Sequence, residues 1–169
     1  NEKPSFSDNI VFFFKYQVGH MYLRYFLWNF SGRSSDIQNA DWIGLNNLFE
    51  DVPYSIESNK ARNNYLMIPL FLGIIGLLFQ YFYDRKNFYV VLLLFILTGL
   101  ALVVYLNIPP IEPRERDYIY AGSYYTFSIW IGFGVISIFS FINRLLNKKS
   151  LSIVLSGIIS FLSPAILAY

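Results

Sequence analysis

Four long runs without a charged residue dominate the pattern of hydrophobic and polar positions along the chain. They cover residues 65–83, 88–106, 124–142 and 151–169, and each is 19 residues long. A helix needs about 20 apolar residues to cross the hydrocarbon core of a bilayer. The buried helices of a water-soluble protein rarely repeat such runs four times. The pattern therefore predicts an all-α integral membrane fold with four transmembrane helices.

The first 64 residues contain no run of this kind. Residues 10–30 have the spacing of an amphipathic helix, and Ser7, Asp8 and Asn9 before them are typical capping residues. Residues 31–64 are rich in Gly, Ser, Asn and Asp, and they predict a loop with short turns of helix. The chain thus divides into an outer helix and loop at 1–64 and a four-helix transmembrane region at 65–169, which includes an outer loop at 107–123.

The distribution of Lys and Arg predicts the orientation of these parts. The loops 84–87 and 143–150 hold five Lys and Arg residues in twelve positions, whereas 45–64 and 107–123 hold four in 37. Cytoplasmic loops of membrane proteins carry an excess of these residues. We therefore expect the two short loops to face the cytoplasm, and residues 1–64 and 107–123 to lie on the outer face.

Composition narrows the classes of function. Apolar residues make up 55% of the chain, aromatic residues 20% and charged residues only 14%. These values exclude a disordered chain, and a net charge of +2 is too small to indicate a nucleic-acid partner. The chain has no cysteine and one histidine, so we expect no disulfide and no thiolate or histidine metal site.

The predicted outer helix carries the first candidate site. At 100° per residue, Gln17, His20 and Arg24 fall within about 60° of arc. One interpretation is an interfacial helix whose polar stripe faces water. The other is a stripe that lines a site for an anionic group, with Arg24 as the charge partner and His20 as a hydrogen-bond donor.

The segment 109–118 carries the second candidate site. Three prolines in five positions hold it extended, so alternate residues share a face. Arg114 and Arg116 then point one way, and Glu115 and Asp117 point the other way. Two guanidinium groups on one face suit a phosphate or pyrophosphate. The alternative is a cluster of salt bridges within the loop, beside the lipid headgroups.

Other polar residues are predicted to support one of these sites. Arg33 and Asp36 could pair with each other or bind ligand, and Lys60 and Arg62 could extend toward headgroups just before the first run. The full supporting set is Glu115, Asp117, Tyr118, Arg33, Asp36, Lys60 and Arg62.

Small residues at helical spacings in the apolar runs predict close packing between helices. They are Gly73 and Gly76, Gly132 and Gly134, and Ser152, Ser156, Ser160 and Ser163.

Three stretches resemble a Bacteroidota family of large membrane proteins related to the eukaryotic protein O-mannosyltransferases. They are residues 16–33 (YQVGHMYLRYFLWNFSGR), 59–63 (NKARN) and 113–118 (PRERDY). That family is placed in the GT-C superfamily of glycosyltransferases. The resemblance covers nearly the whole chain and implies a segment of a larger GT-C-like helical bundle in the bacterial inner membrane. Residues 1–64 and 107–123 would then be periplasmic.

The resemblance also implies an activity. A sugar would pass from a polyprenyl-phosphate donor to a hydroxyl of an acceptor protein, with cations stabilising the leaving phosphate. Arg114, Arg116 and Arg24 would supply those cations. The polyprenyl-phosphate-linked sugar is the donor substrate, and no cofactor is assigned. GT-C enzymes usually place the catalytic acid in the first outer loop, which this segment lacks. The catalytic residue therefore stays unassigned, and the fragment alone is expected to be inactive. The alternative is a non-enzymatic scaffold or lipid-binding protein whose arginines bind headgroups.

Overall fold

The computed structural model describes residues 4–46, 52–109 and 114–167, the last five of these without their side chains. Over these ranges the fold is mostly helical, and the sheet consists of one antiparallel pair of two-residue strands. The prediction of an all-α fold is confirmed at this level.

The outer helix is continuous from residue 6 to residue 30 but changes its winding twice. It consists of α1 (Phe6–Phe12), a π-helix (Phe13–Leu23) and α2 (Arg24–Phe30). It begins four residues earlier than predicted, because Ser5 caps it. The Ser5 hydroxyl accepts from the Asp8 backbone, and the Asp8 carboxylate accepts from the Ser5 backbone at 2.8 Å. The predicted caps Ser7 and Asp8 therefore lie within the first turn.

The loop after the outer helix folds back on itself. Strand β1 (Gly32–Arg33) pairs with β2 (Asn63–Asn64), and a short helix, α3 (Tyr54–Glu57), lies between them in sequence. Gly32 has a φ of 145°, and a β-carbon at this position would collide with the Asn63 carbonyl oxygen. The strand pair thus brings the end of the loop back to the end of the outer helix. The sequence predicted a loop with short turns of helix here, which agrees with α3, but it did not predict the strand pair.

The rest of the chain forms a helical bundle. Its helices are α4 (Ile68–Tyr83), α5 (Arg85–Thr98), α6 (Leu100–Leu106), α7 (Ala121–Leu146) and α8 (Lys149–Leu167), with a 3₁₀-helix at Asp117–Tyr120 before α7. Helices α5 and α6 occupy one predicted apolar run, which is interrupted at Gly99.

The closest helix contact in the bundle joins α4 to α7. A β-carbon at Gly73 would collide with the Phe127 ring, and one at Gly76 would collide with the Trp130 backbone. A β-carbon at Gly134 would likewise collide with the Leu72 carbonyl oxygen, whereas one at Gly132 would meet open space. The packing role predicted for small residues thus applies to Gly73, Gly76 and Gly134, and the prediction for Gly132 is wrong.

Two helical stretches are long and apolar enough to cross a membrane. They are Arg85–Leu106, with 22 residues, and Asp117–Leu146, with 30 residues. The apolar helix Ile68–Tyr83, with 16 residues, is shorter than the length required. Helix α8 extends over 19 residues and is apolar over Lys149–Leu162, the part described with its side chains. Of the four predicted spans, the second and third therefore correspond to helices of spanning length within the described residues, and the first is shorter.

Two aromatic clusters attach the outer helix to the bundle. Tyr22 packs edge-to-face against Tyr120. Phe26 and Phe30 pack against Phe127, with ring centroids 4.8 and 4.6 Å apart. Since aromatic side chains bury large apolar areas, these contacts fix the outer helix across one end of the bundle. That position brings its polar side chains to the loops at the same end.

Candidate functional site

A buried ion pair connects the outer helix to the segment before α7. The Nη2 atom of Arg24 lies 2.9 Å from Oε2 of Glu115, and the two side chains are 3% and 18% exposed. Arg24 stands at the start of α2, where the π-helix ends, and it is buried. The attraction between two charges is stronger away from water. Such a pair nevertheless needs further hydrogen bonds to offset the loss of solvation.

Glu115 accepts those further hydrogen bonds from two other residues. The Asn39 backbone N–H donates to Oε1 at 2.6 Å, and the Tyr25 hydroxyl donates to Oε2. Burial by itself would raise the pKa of Glu115, but the hydrogen bonds from Arg24, Tyr25 and Asn39, together with the charge of Arg24, outweigh it and lower the pKa to about 2. The carboxylate is therefore charged at neutral pH and unsuited to accept a proton. We call these four residues the Glu115 cluster.

The Arg24 guanidinium has partners on every side. Its Nε donates to the His20 carbonyl oxygen and its Nη1 to the Ala40 carbonyl oxygen, each at 3.0 Å. Its central carbon lies 4.6 Å from the ring centroids of both Tyr25 and Trp28. Cation–π contacts of this kind stabilise a desolvated guanidinium. The structure thus uses Arg24 to hold the outer helix, the 39–40 segment and Glu115 together.

Tyr25 and Trp28 complete the walls around this arginine. The pKa of the Tyr25 hydroxyl is raised, mainly by burial and to a smaller extent by its hydrogen bond to Glu115. The Trp28 Nε1–H donates to the Ala40 carbonyl at 3.2 Å. The central carbon of the Arg33 guanidinium also lies over the Trp28 ring, 4.0 Å from its centroid. Sequence reasoning did not select Tyr25, Trp28 or Asn39. Trp28 follows Arg24 four residues on, a helical spacing that could have marked it as a neighbour, whereas the spacing to Tyr25 carries no such signal.

The three residues of the predicted polar stripe contact two different loops. Gln17 is buried, and its side-chain amide donates to Asn107 at 2.8 Å and to the Ile108 carbonyl at 3.1 Å. The His20 Nε2 lies 3.1 Å from Oδ1 of Asn39, on the side where Arg24 contacts Ala40. The predicted wheel assumed 100° per residue, but residues 13–23 are π-helical and turn less per residue, which separates Gln17 from His20 and Arg24.

Arg114 and Arg116, from the segment 109–118, flank Glu115 in sequence. The extended conformation predicted from the prolines at 110 and 113 lies outside the described residues. Glu115 pairs with Arg24 of the outer helix, and the alternative of a salt-bridge cluster confined to the loop is wrong for this residue. Arg114 and Tyr118 are exposed, Arg116 is partly buried, and the Arg116 backbone N–H donates to the Tyr25 hydroxyl at 3.4 Å. Asp117 begins the 3₁₀-helix.

The remaining predicted residues lie apart from this cluster or at its edge. Asp36 accepts from the Asn59 side chain at 2.7 Å, and this hydrogen bond is the main cause of its lowered pKa. Arg33 donates from Nε to the Ser35 carbonyl at 2.7 Å, beside Trp28. Lys60 is exposed and Arg62 is partly buried.

Two grooves flank the outer helix. The first, of about 530 Å³, is lined by Val11, Phe12, Lys15, Tyr16, His20 and Asn39, and we call it the outer groove. The second, of about 470 Å³, lies where Gln17 meets Asn107, with Phe13 and Pro109 in its walls. Across residues 4–46, 52–109 and 114–167, no three His, Asp or Glu side chains are grouped so that they could hold a metal ion.

Comparison of the chain with protein-family models, with curated proteins and with solved structures gives no match.

Proposed function

We propose that the chain is a segment of an integral-membrane protein in which α4, α5–α6, α7 and α8 all cross the bilayer. The exposed apolar side chains support this placement. On α5, Val90, Leu93 and Leu97 are all more than half exposed, although they belong to an uncharged run. Apolar surface of this extent is unfavourable in water and favourable in lipid.

The shorter helix α4 fits the proposal through its packing. Helix α4 has 16 residues and rises about 24 Å, less than the roughly 30 Å of the hydrocarbon core. It lies in close contact with the longer α7 through Gly73 and Gly76, so it must share the environment of that helix. Local thinning of the bilayer, at a modest cost, accommodates a short helix.

The orientation we propose puts residues 1–64 and 107–123 on the outer face of a bacterial inner membrane. The Glu115 cluster supports the common location of these two parts, because it joins residues 24–40 to residue 115 directly. Arg85, Lys86, Arg144, Lys148 and Lys149 then lie at the cytoplasmic ends of the helices, as the excess of positive residues requires.

For the longer GT-C-like protein that the resemblance implies, we propose sugar transfer from a polyprenyl-phosphate donor to a protein hydroxyl. The acceptor oxygen attacks the anomeric carbon, the bond from that carbon to the phosphate oxygen breaks, and the phosphate leaves with the electron pair. The hydroxyl proton passes to a base outside this segment. Arg114 and Arg116 are proposed to stabilise the charge on the departing phosphate.

The observation that carries this assignment is the anchoring of Glu115. Four donors from the outer helix and the 39–40 segment fix this carboxylate, and the two arginines are its immediate neighbours in sequence. Their backbone is thereby fixed at the outer end of α7, where the Arg116 N–H also donates to the Tyr25 hydroxyl. Arg24, with its guanidinium fully engaged, is assigned to positioning the segment and not to contacting phosphate.

The second candidate function is a lipid-binding scaffold without transfer activity. It requires no general base, and the pKa of Glu115, which is about 2, gives this carboxylate a structural role under either function. In that case Arg114 and Arg116 would bind phospholipid headgroups, and no bond would be broken.

Transfer activity in membranes distinguishes the two functions. We expect Arg116→Lys in the full-length protein to lower transfer from a polyprenyl-phosphate sugar by roughly tenfold, since an ammonium group cannot replace a two-pronged contact worth about 1.5–3 kcal/mol. Arg144→Lys, at the opposite end of α7, is the matched control and should leave transfer unchanged. Equal transfer by the wild type and the Arg114/Arg116 double alanine variant would reject the catalytic assignment.

A further inference from the structure

We propose that the outer groove binds the phosphate headgroup of an anionic membrane phospholipid. This inference rests on the proposed membrane placement but not on the proposed transfer activity. The groove lies between the outer helix and Asn39, and it shares Phe12 with the groove at Gln17 and Asn107. Its volume of about 530 Å³ is in the range of small-molecule sites.

One wall of the groove is a column of stacked rings. The Phe12 and Tyr16 rings stack with centroids 5.2 Å apart and an interplanar angle of 14°. The Tyr16 and His20 rings stack at 5.4 Å and 22°. The column therefore runs from an apolar ring at one end, through a phenol, to an imidazole at the other end. An amphiphile whose polar group lies at His20 matches this gradient.

The polar end of the groove is held in place by the Glu115 cluster. Asn39 has a φ of 65°, a left-handed conformation that asparagine tolerates better than most residues, and its N–H is fixed by Glu115 at 2.6 Å. Its side-chain oxygen is in turn 3.1 Å from the His20 Nε2. The lining thus combines a prepositioned His–Asn pair with the ammonium group of Lys15. A single negative charge with hydrogen-bonding oxygens suits this set of groups.

The surroundings of the groove favour a lipid over a free anion. Val11, in its lining, is 57% exposed, and Phe6 and Phe14 on the same helix are 81% and 63% exposed. A free phosphate would use only the polar end and leave the aromatic wall without a partner. Acyl chains beside a headgroup would cover the exposed apolar side chains. Aromatic and apolar residues at the headgroup level of membranes commonly make such contacts with lipid.

Lipid retention measures this binding directly. The chain is placed in nanodiscs of equal parts phosphatidylglycerol and phosphatidylcholine, released, and analysed by native mass spectrometry for the lipids that it keeps. We expect wild type to keep phosphatidylglycerol in preference, and Lys15→Gln to lower that preference by about fivefold, as expected for one lysine at an anionic surface. Lys86→Gln, in the first turn of α5 at the other end of the bundle, is the control and should keep that preference.

Two further arms separate the possible sources of the anion. Phe12→Ala should also weaken retention, because the aromatic wall is part of the site. Inorganic phosphate at millimolar concentration should not displace the lipid, and displacement by it would overturn the assignment to a lipid. Equal retention by wild type and Lys15→Gln would overturn the groove as the site. Failure of the chain to enter nanodiscs would instead reject the membrane placement, and lipid retention is independent of any result for sugar transfer.

Discussion

The outer segment consists of the outer helix, the loop after it and Glu115. The contacts that hold it together differ in kind from those that hold the helical bundle together. In the outer segment, buried charges and hydrogen bonds link parts of the chain that are far apart in sequence, and the ion pair joins residues 24 and 115. In the bundle, α4 and α7 touch through glycines and aromatic rings, and one buried side-chain hydrogen bond, from Trp130 Nε1 to Gln80 Oε1 at 2.8 Å, lies between them. Polar contacts specify direction and partner, whereas close apolar packing specifies distance. Substitutions in one region should therefore leave the other largely intact.

The largest effect is expected from Glu115→Ala. This change leaves the Arg24 guanidinium buried without its counter-charge, which costs about 3–5 kcal/mol in comparable buried pairs. Hydrogen exchange should become fast in residues 24–30 and 39–40 but stay slow in α4 and α7. Glu57→Ala, an exposed carboxylate on α3, is the control. Equal loss of protection in α4 would show that the two regions are not independent.

Acid should release the outer segment before the bundle. The pKa of Glu115 falls from an ordinary value of 4.5 to about 2 in the fold, so its stabilising charge is fully present above pH 4.5 and is lost as pH falls toward 2. Thermal unfolding of the wild type should therefore shift to lower temperature across this window. Glu115→Gln should lack this component of the shift, and identical pH profiles for the two proteins would contradict the assignment.

In the bundle, Gly76→Ala should lower the free energy of unfolding by about 1–3 kcal/mol, because the new methyl group meets the backbone of Trp130 and Gly134. Gly132→Ala lies on α7 with open space around it, and should be neutral or slightly stabilising. The thermal unfolding midpoint of each variant in detergent is the measurement. A destabilised Gly132→Ala variant beside an unchanged Gly76→Ala variant would mean that the α4–α7 contact is wrongly identified.

The smallest effect should come from the start of the outer helix. Ser5→Ala removes the side-chain acceptor of the capping box and should cost about 1 kcal/mol. Because Phe6 and Ile10 are exposed, this loss should fray only the first turns, seen as faster hydrogen exchange in residues 6–10. Ser55→Ala, on the short α3 helix, is the matched serine control. A change in the lipid retained in the outer groove would show that fraying reaches Val11 and Phe12.

Local patterns in the sequence were sufficient for the helices, but not for their partners. The uncharged runs identified all the helices of the bundle, because apolar composition and length are local properties. They did not reveal the interruption at Gly99, where a β-carbon would collide with the Tyr22 hydroxyl, since this contact comes from a residue 77 positions away.

Sequence reasoning selected the two charged residues of the Glu115 cluster, but it missed Tyr25 and Asn39 and all of the connections between them. Arg24 and Glu115 both stood among the predicted site residues, but nothing in a single sequence pairs two residues so far apart. The π-helix was also missed, because the wheel assumed ordinary helical winding, and so Gln17 was placed on the same side as Arg24. Local propensity scales contain no strong signal for a π-helical segment of this length.

The separation between Arg24 and Glu115 also sets an order of events during synthesis. The two residues are 91 positions apart, so at a rate of about 5–20 residues per second a ribosome adds Glu115 roughly 5–20 seconds after Arg24. In the membrane placement proposed above, α4 and α5–α6 must both be inserted before Glu115 reaches the outer side. Until then Arg24 remains charged and solvated, and the outer helix cannot dock. The last step in the maturation of the outer segment is therefore timed by the insertion of the helices beneath it.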